Sequence, residues 1–192
     1  ERTYSLTQLN AKQVLLVAKK VENGVVSQWL LEQSKVGDVL EFGQPYGDML
    51  LPEQEQPIVL LAAGSGITPM YSLVQALAET GKIEKTPVIL MYWVKTQADA
   101  AFKDTFEKLA EKFQNFKFVL LCTQAEQPDS RLNEAHLAHL DNITESTVYA
   151  CGPSGFTVQV EKLFTAAKSV KTEAFSMTPV LHDEVGFVNV TL

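Results

Sequence analysis

Ile58-Val59-Leu60-Leu61-Ala62-Ala63-Gly64-Ser65-Gly66-Ile67-Thr68-Pro69 is the stretch on which the reading of this 192-residue chain turns. Residues 58–62 are a continuous apolar run of strand length, as expected of a strand buried on both faces. Two glycines then let the backbone turn sharply and approach a ligand closely. Met70, Leu73, Val74 and Leu77 recur at helical spacing, with Gly81 as the stop. Pro69 suits the first helical turn, where its missing amide hydrogen is not needed. The helix start therefore offers unpaired amides to a phosphate. The spacing is not the three-glycine dinucleotide fingerprint. The alternative is a tight turn that holds nothing. Thr68, Pro69 and the regular pattern downstream favour a ligand, which makes Gly64, Gly66, Thr68 and Pro69 candidate binding residues.

Downstream, strands and helices alternate. Val88–Val94 reads as a strand, and Phe102, Phe106, Leu109, Ala110 and Phe113 mark an amphipathic helix. Phe116–Cys122 is a third strand. A loop around Pro128 leads to a short helix with Leu137 and Leu140 inward and His136 and His139 on its surface. Residues 147–151 form a fourth strand, Phe156, Val160, Leu163, Phe164 and Ala167 a further helix, and 170–175 a fifth strand. Such alternation predicts an α/β parallel sheet with helices on both faces. Ligands of these sheets bind beyond the carboxyl ends of the strands. The loop Tyr149-Ala150-Cys151-Gly152-Pro153-Ser154-Gly155 would then share a crevice with Gly64 if their strands are neighbours. Cys151 has no histidine nearby in sequence, so a Cys–His catalytic pair is not expected. It reads either as a small packing residue or as a ligand contact.

Upstream the pattern is different. Residues 3–8, 13–21 and 38–43 are strand-like, Asn23-Gly24 is a turn, and 27–32 fit one or two helical turns. Pro45, Gly47 and Pro52 close this part, and 53–57 is a polar linker. Residues 184–192 read as a strand belonging to neither pattern.

The composition is that of an ordinary globular protein, 46% hydrophobic and 20% charged, and the net charge of −7 gives no electrostatic case for nucleic acid. No apolar run approaches the ~20 residues needed to span a bilayer, so stable membrane insertion is not expected. Cys122 and Cys151 lack metal-ligand spacing, so no metal site is expected. A reduced, cytoplasmic setting fits two cysteines best. The first residue is not Met, and the chain opens directly on strand-like residues, which suggests a fragment.

Four motifs in register, Arg2-Thr3-Tyr4-Ser5, Gly24-Val25-Val26-Ser27, Gly64-Ser65-Gly66-Ile67-Thr68-Pro69 and Cys151-Gly152-Pro153, resemble the ferredoxin–NADP reductase family over residues 1 to about 176. The resemblance implies a partial, N-terminally truncated Greek-key β barrel for FAD over 1–52. An NAD(P)-binding α/β domain would cover 53–176, and a linker with the possible start of a further domain 177–192. By the same resemblance Arg2 pairs with the FAD pyrophosphate, a guanidinium fork matching two phosphate oxygens. Tyr4 lies against the isoalloxazine ring, and Ser5 hydrogen-bonds near flavin N5. Gly24, Val25, Val26 and Ser27 meet the FAD phosphates. Gly64, Gly66, Thr68 and Pro69 hold the nicotinamide nucleotide, while Cys151, Gly152 and Pro153 flank the nicotinamide where it meets the flavin. Tyr4, Ser5 and Cys151 are thus the candidate catalytic residues. Glu173 and Phe175 resemble the acidic and aromatic residues that end the last family strand, and Gln44-Pro45-Tyr46-Gly47 partly resembles the loop after the last barrel strand.

Cofactor preference, NADPH or NADH, is left open by the residues. Thr123-Gln124 stands where NADP-specific members have Ser-Arg, and Arg131 either meets a 2′-phosphate or lies in solvent. The family barrel has six strands, of which three are recognisable. Family members often carry a C-terminal plant-type [2Fe–2S] module held by four cysteines, and no such cysteines occur in this sequence. The activity implied is hydride transfer from NAD(P)H to FAD, then single electrons to an iron–sulfur acceptor, fused or separate, or to an oxygenase or desaturase. The rival readings are a non-catalytic NAD(P)-binding module and a reductase of free flavin or another small acceptor.

Overall fold

The computed structural model describes residues 3–10, 12–124, 131–175 and 185–189. β1 (Leu6–Asn10) and β2 (Gln13–Leu16) form an antiparallel pair with Leu6 opposite Leu16 and Thr7 opposite Leu15. The predicted strand over 13–21 therefore stops at Leu16, and residues 17–21 run on as irregular chain. α1 (Val25–Gln28) starts two residues before the predicted helical turns and passes into a π-helical turn, Trp29–Gln33. β3 (Val39–Gly43) follows.

β4 (Ile58–Ala63) begins the second part and turns through Gly64–Gly66 into α2 (Ile67–Glu79). Then come β5 (Val88–Val94), α3 (Lys103–Lys112), β6 (Phe116–Cys122), a 3-10 turn at Glu134–His139, β7 (Thr147–Pro153), α4 (Ser154–Leu163) and β8 (Ser169–Phe175). The five strands form one parallel sheet in the order β6-β5-β4-β7-β8. Chain order thus runs outward from β4 on one side and then crosses to the other. The carboxyl end between β4 and β7 is the switch point where open α/β sheets bind ligands.

Alternation along β4 divides the core. Ile58, Leu60 and Ala62 pack with Met70, Val74 and Leu77 of α2 and Phe106 of α3 on one face. Val59 and Leu61 pack with Val160 and Phe164 on the other. Each of these side chains larger than alanine contributes roughly 1.5–3 kcal/mol on burial, which is why residues 58–62 read as a fully covered strand. α2 buries one stripe, Ile67, Met70, Leu73, Val74 and Leu77, and is closed by the left-handed Gly81 (φ 68°). Phe102, expected inside the third helix, precedes it in a left-handed conformation (φ 61°) and stacks on Tyr71 with ring centroids 4.1 Å apart.

The expected barrel fragment takes the form of two separate antiparallel pairs, and no closed barrel is formed among the described residues. β9 (Val185–Asn189) lies within the predicted tail strand and pairs with β3, Leu40 opposite Val188. The N-terminal part is tied to the α/β part at two places. Thr7 Oγ1 lies 2.5 Å from Ser72 Oγ on α2. At the other side Tyr149 donates to the Leu50 carbonyl (2.6 Å) and Lys171 to the Asp48 carbonyl (2.8 Å).

Candidate functional site

The turn after β4 is built for close approach. Gly64 takes a left-handed φ of 58°. Gly66 is pressed so hard against β7 that a β-carbon there would lie 2.0 Å from the Cys151 carbonyl oxygen. Only glycine fits both demands without strain. α2 then starts with no acidic residue in its first turn, and the 3-10 turn that feeds it pairs the Ile67 amide with the Gly64 carbonyl. Thr68 turns its hydroxyl back to the Ser65 carbonyl (3.1 Å) and fixes the turn.

Two adjoining clefts open at this point. One, of about 550 Å³, is lined by Tyr4, Ser5 and the segment Gly24, Val25, Val26 and Ser27 from the N-terminal part together with Ser65, Thr68 and Glu173. The other, of about 510 Å³, runs along the carboxyl edge of the sheet past Gly64, Trp93, Lys95, Thr123 and Pro153. Val17, Lys19 and Ser65 form the wall they share. The structure thus brings two of the sequence motifs, Tyr4-Ser5 and Gly24–Ser27, into one cleft with Thr68. Ser27 is buried there and accepts from the Val21 amide (3.1 Å).

Other candidates stand apart from the cleft walls. Cys151 is fully buried, Gly152 is buried beside it, and both lie behind Gly66. Burial, and then the neighbouring Glu173 carboxylate, push the Cys151 thiol up to about 12. Pro69 is buried within α2. Arg131 is exposed and lines neither cleft. Phe175 ends β8 opposite Pro153. Arg2 lies outside the described residues. His136, expected on a helix surface, is instead buried at 4% exposure. Its ring meets Trp93 edge-on at 5.3 Å, and its Nδ1 accepts from the Asn133 amide (3.2 Å), which closes the 3-10 turn and carries the ring inward.

Sequence reasoning missed Lys19, Lys95, Asp99 and Trp93, and reached Thr123 only through the family resemblance. Lys95 and Thr123 directly follow β5 and β6, so the rule of carboxyl ends could have found them. Asp99 carried a signal in Thr96-Gln97-Ala98-Asp99, a capping box in which Asp99 Oδ2 accepts from the Thr96 hydroxyl (2.8 Å) and amide (3.1 Å). Those bonds, with Lys19 and Lys95 nearby, hold the Asp99 carboxyl below its usual range. Across the first cleft Glu173 is shifted the other way, upward, by burial and then by Asp48. Trp93 packs against Phe156 (5.4 Å), its indole N–H buried without an acceptor among the described residues.

An α/β sheet with a glycine-lined nucleotide edge, opening onto a second cleft built from a preceding strand segment, is the arrangement of ferredoxin–NADP reductase-type oxidoreductases. The chain belongs to the oxidoreductase NAD-binding domain family, whose model matches residues 60–162. It is 33% identical over 173 residues to a flavohemoprotein of Deinococcus radiodurans, covering 84% of this chain and 42% of that one. An NADPH oxidoreductase of Mycobacterium tuberculosis is 30% identical (86% and 44% covered). The electron transfer component of 2-halobenzoate 1,2-dioxygenase from Burkholderia cepacia is 26% identical (87% and 50% covered). The chain thus spans about half the length of the curated relatives it matches. Among solved structures, the FAD/NAD binding domain of nitric oxide dioxygenase from Vibrio cholerae superposes with a TM-score of 0.77 at 27% identity, covering 91% of this chain and 76% of that one. A ferredoxin NADP+ reductase from Neisseria gonorrhoeae shares the fold at 17% identity and a TM-score of 0.69 (90% and 79% covered). No helix among the described residues is long and apolar enough to cross a membrane.

Proposed function

We propose that this chain is the nucleotide-binding part, with some of the flavin pocket, of a cytoplasmic oxidoreductase. In this reading NADPH or NADH reduces FAD, and electrons pass on singly to an iron–sulfur protein, oxygenase or desaturase. The observation that carries the reading is one cleft lined both by Tyr4 with Ser5 and by Ser65 with Thr68. The residues fit both groups. A β-carbon at Gly64 would meet nothing within 4 Å, so the backbone at the turn into α2 is open to a diphosphate, and each cleft is of the size that takes a large planar ligand. Dioxygenase electron transfer components and an NADPH oxidoreductase among the relatives support the same class.

When bound, the isoalloxazine supplies the exchange between two-electron and one-electron chemistry. The chain's own residues do the rest by placement. Tyr4 would offer a ring face for the isoalloxazine to stack against, and Ser5 a hydroxyl to bond to it. Gly24, Val25, Val26 and Ser27 wall the far end of the same cleft, and Gly64, Lys95 and Pro153 hold the nucleotide along the sheet edge. Holding the two reactants at near-attack separation would account for the catalysis, with no acid–base group required. Because Cys151 is buried behind Gly66, its part in this scheme is to shape the turn that flanks the nicotinamide.

The test is the visible spectrum of the intact purified protein, followed by anaerobic stopped-flow mixing with NADPH and with NADH. A yellow protein whose flavin bleaches within seconds, and more slowly after Tyr4→Ala or Ser5→Ala, supports the proposal. A colourless protein that still binds NAD(P)H would favour a binding module without catalysis.

A further inference from the structure

We infer that Thr7 and Ser72 form a pin that sets the separation between the two halves of the reaction site, an inference that rests on the functional reading above. Thr7 is 2% exposed in β1, and its Oγ1 lies 2.5 Å from Ser72 Oγ on α2. The proton count closes. With Thr7 donating to Ser72, the Ser72 hydroxyl donates in turn to the carbonyl of Thr68 (3.4 Å) or of Leu6 (3.5 Å). These bonds join the strand segment to the nucleotide-binding helix.

Both reacting halves are measured from this pin. Ser72 stands one helical turn, about 6 Å, beyond Thr68 along α2. Ser5 and Tyr4 stand two and three residues before Thr7, about 7–10 Å of extended chain. Tyr4, Ser5 and Thr68 meet in the wall of one cleft, so strand and helix run side by side from the pin to that cleft. A slip at the pin is therefore carried to the place where the two rings are to meet. Thr7 and Ser72 line neither cleft. They are positioning residues, and nothing in their own chemistry takes part in the reaction.

The experiment uses the flavin-loaded protein with Thr7→Val, Ser72→Ala, the double variant and Thr7→Ser. A misplacement of about 1 Å costs on the order of 100-fold in such reactions. The single variants should keep their flavin yet reduce it about tenfold more slowly. The double variant should be no slower than the slower single one, because both changes remove the same contact, and Thr7→Ser should recover the wild-type rate. Hydrogen exchange read by mass spectrometry gives a measure independent of activity. Amides of Leu6–Asn10 should exchange faster in Thr7→Val while those of Ile58–Ala63 stay unchanged. A flavin-loaded Thr7→Val protein reduced within about twofold of wild type would overturn the inference. Should the wild-type protein take up no flavin, the functional reading fails instead, and unaltered exchange at Leu6–Asn10 in Thr7→Val then overturns the pin on its own.

Discussion

A β-carbon on Gly66 would fall 2.0 Å from the Cys151 carbonyl oxygen and 2.4 Å from its carbonyl carbon. The obstacle is backbone in the middle of a buried parallel strand, held on both sides by β4 and β8, so it yields only if the sheet spreads. The turn and the strand across the switch point are therefore one packed unit.

Gly66→Ala should accordingly cost about 3 kcal/mol, the upper range for overpacking a rigid site. Gly64→Ala is the matched control. Its β-carbon would meet nothing within 4 Å, and only the left-handed φ of 58° opposes it, at about 1–2 kcal/mol. Urea unfolding of the two variants checks the order. Equal costs would show that β7 gives way and that the close approach is not a constraint.

The two cysteines should separate by reactivity. Cys151 is fully buried, with its thiol pushed up to about 12, whereas Cys122 is half-buried at the end of β6. The thiolate is the reactive form. Iodoacetamide at pH 8 should label Cys122 in the native protein and reach Cys151 only in denaturant, as read by peptide mass mapping. Comparable labelling of both would mean that β7 opens locally under native conditions.

What the sequence disclosed followed from burial. β4, β5 and β6 match their predicted spans to within a residue because apolar runs covered on both faces have one reading. The helix after Gly66 was equally plain, since its buried stripe recurs with helical period. Where long-range partners decide, the sequence was silent. His136 is polar in isolation and becomes a core residue only through Trp93, a strand and a loop away. Lys19 sat in a run that read as strand, yet β2 ends at Leu16 and frees the next residues to wall both clefts. The tail strand carried a sound period but no sign that it would pair with β3. The motifs at Tyr4 and Gly24 were legible only through family resemblance, because nothing local marks an edge strand or a short helical turn as part of a pocket.

Glu173 gives a prediction in pH. Burial first, and the Asp48 carboxylate second, raise its carboxyl above the ordinary value of 4.5. An acid raised in the folded state binds its proton more tightly folded than unfolded. Its contribution to stability is therefore fully present below about 4.5 and is lost as pH rises through the higher folded value. Glu173→Gln removes the ionisation, so the variant should melt above wild type at pH 7 and level with it at pH 4. Glu173 keeps an exposed surface along the cleft, so solvent screens the charge and the gain at pH 7 should be small. Asp48→Asn should move the melting temperature in the same direction by less, since Asp48 is the lesser cause. Thermal melts of the three proteins at both pH values decide the matter. A gain of the same size at pH 4 would show that glutamine acts through packing in the cleft wall and that the carboxylate carries no strain there.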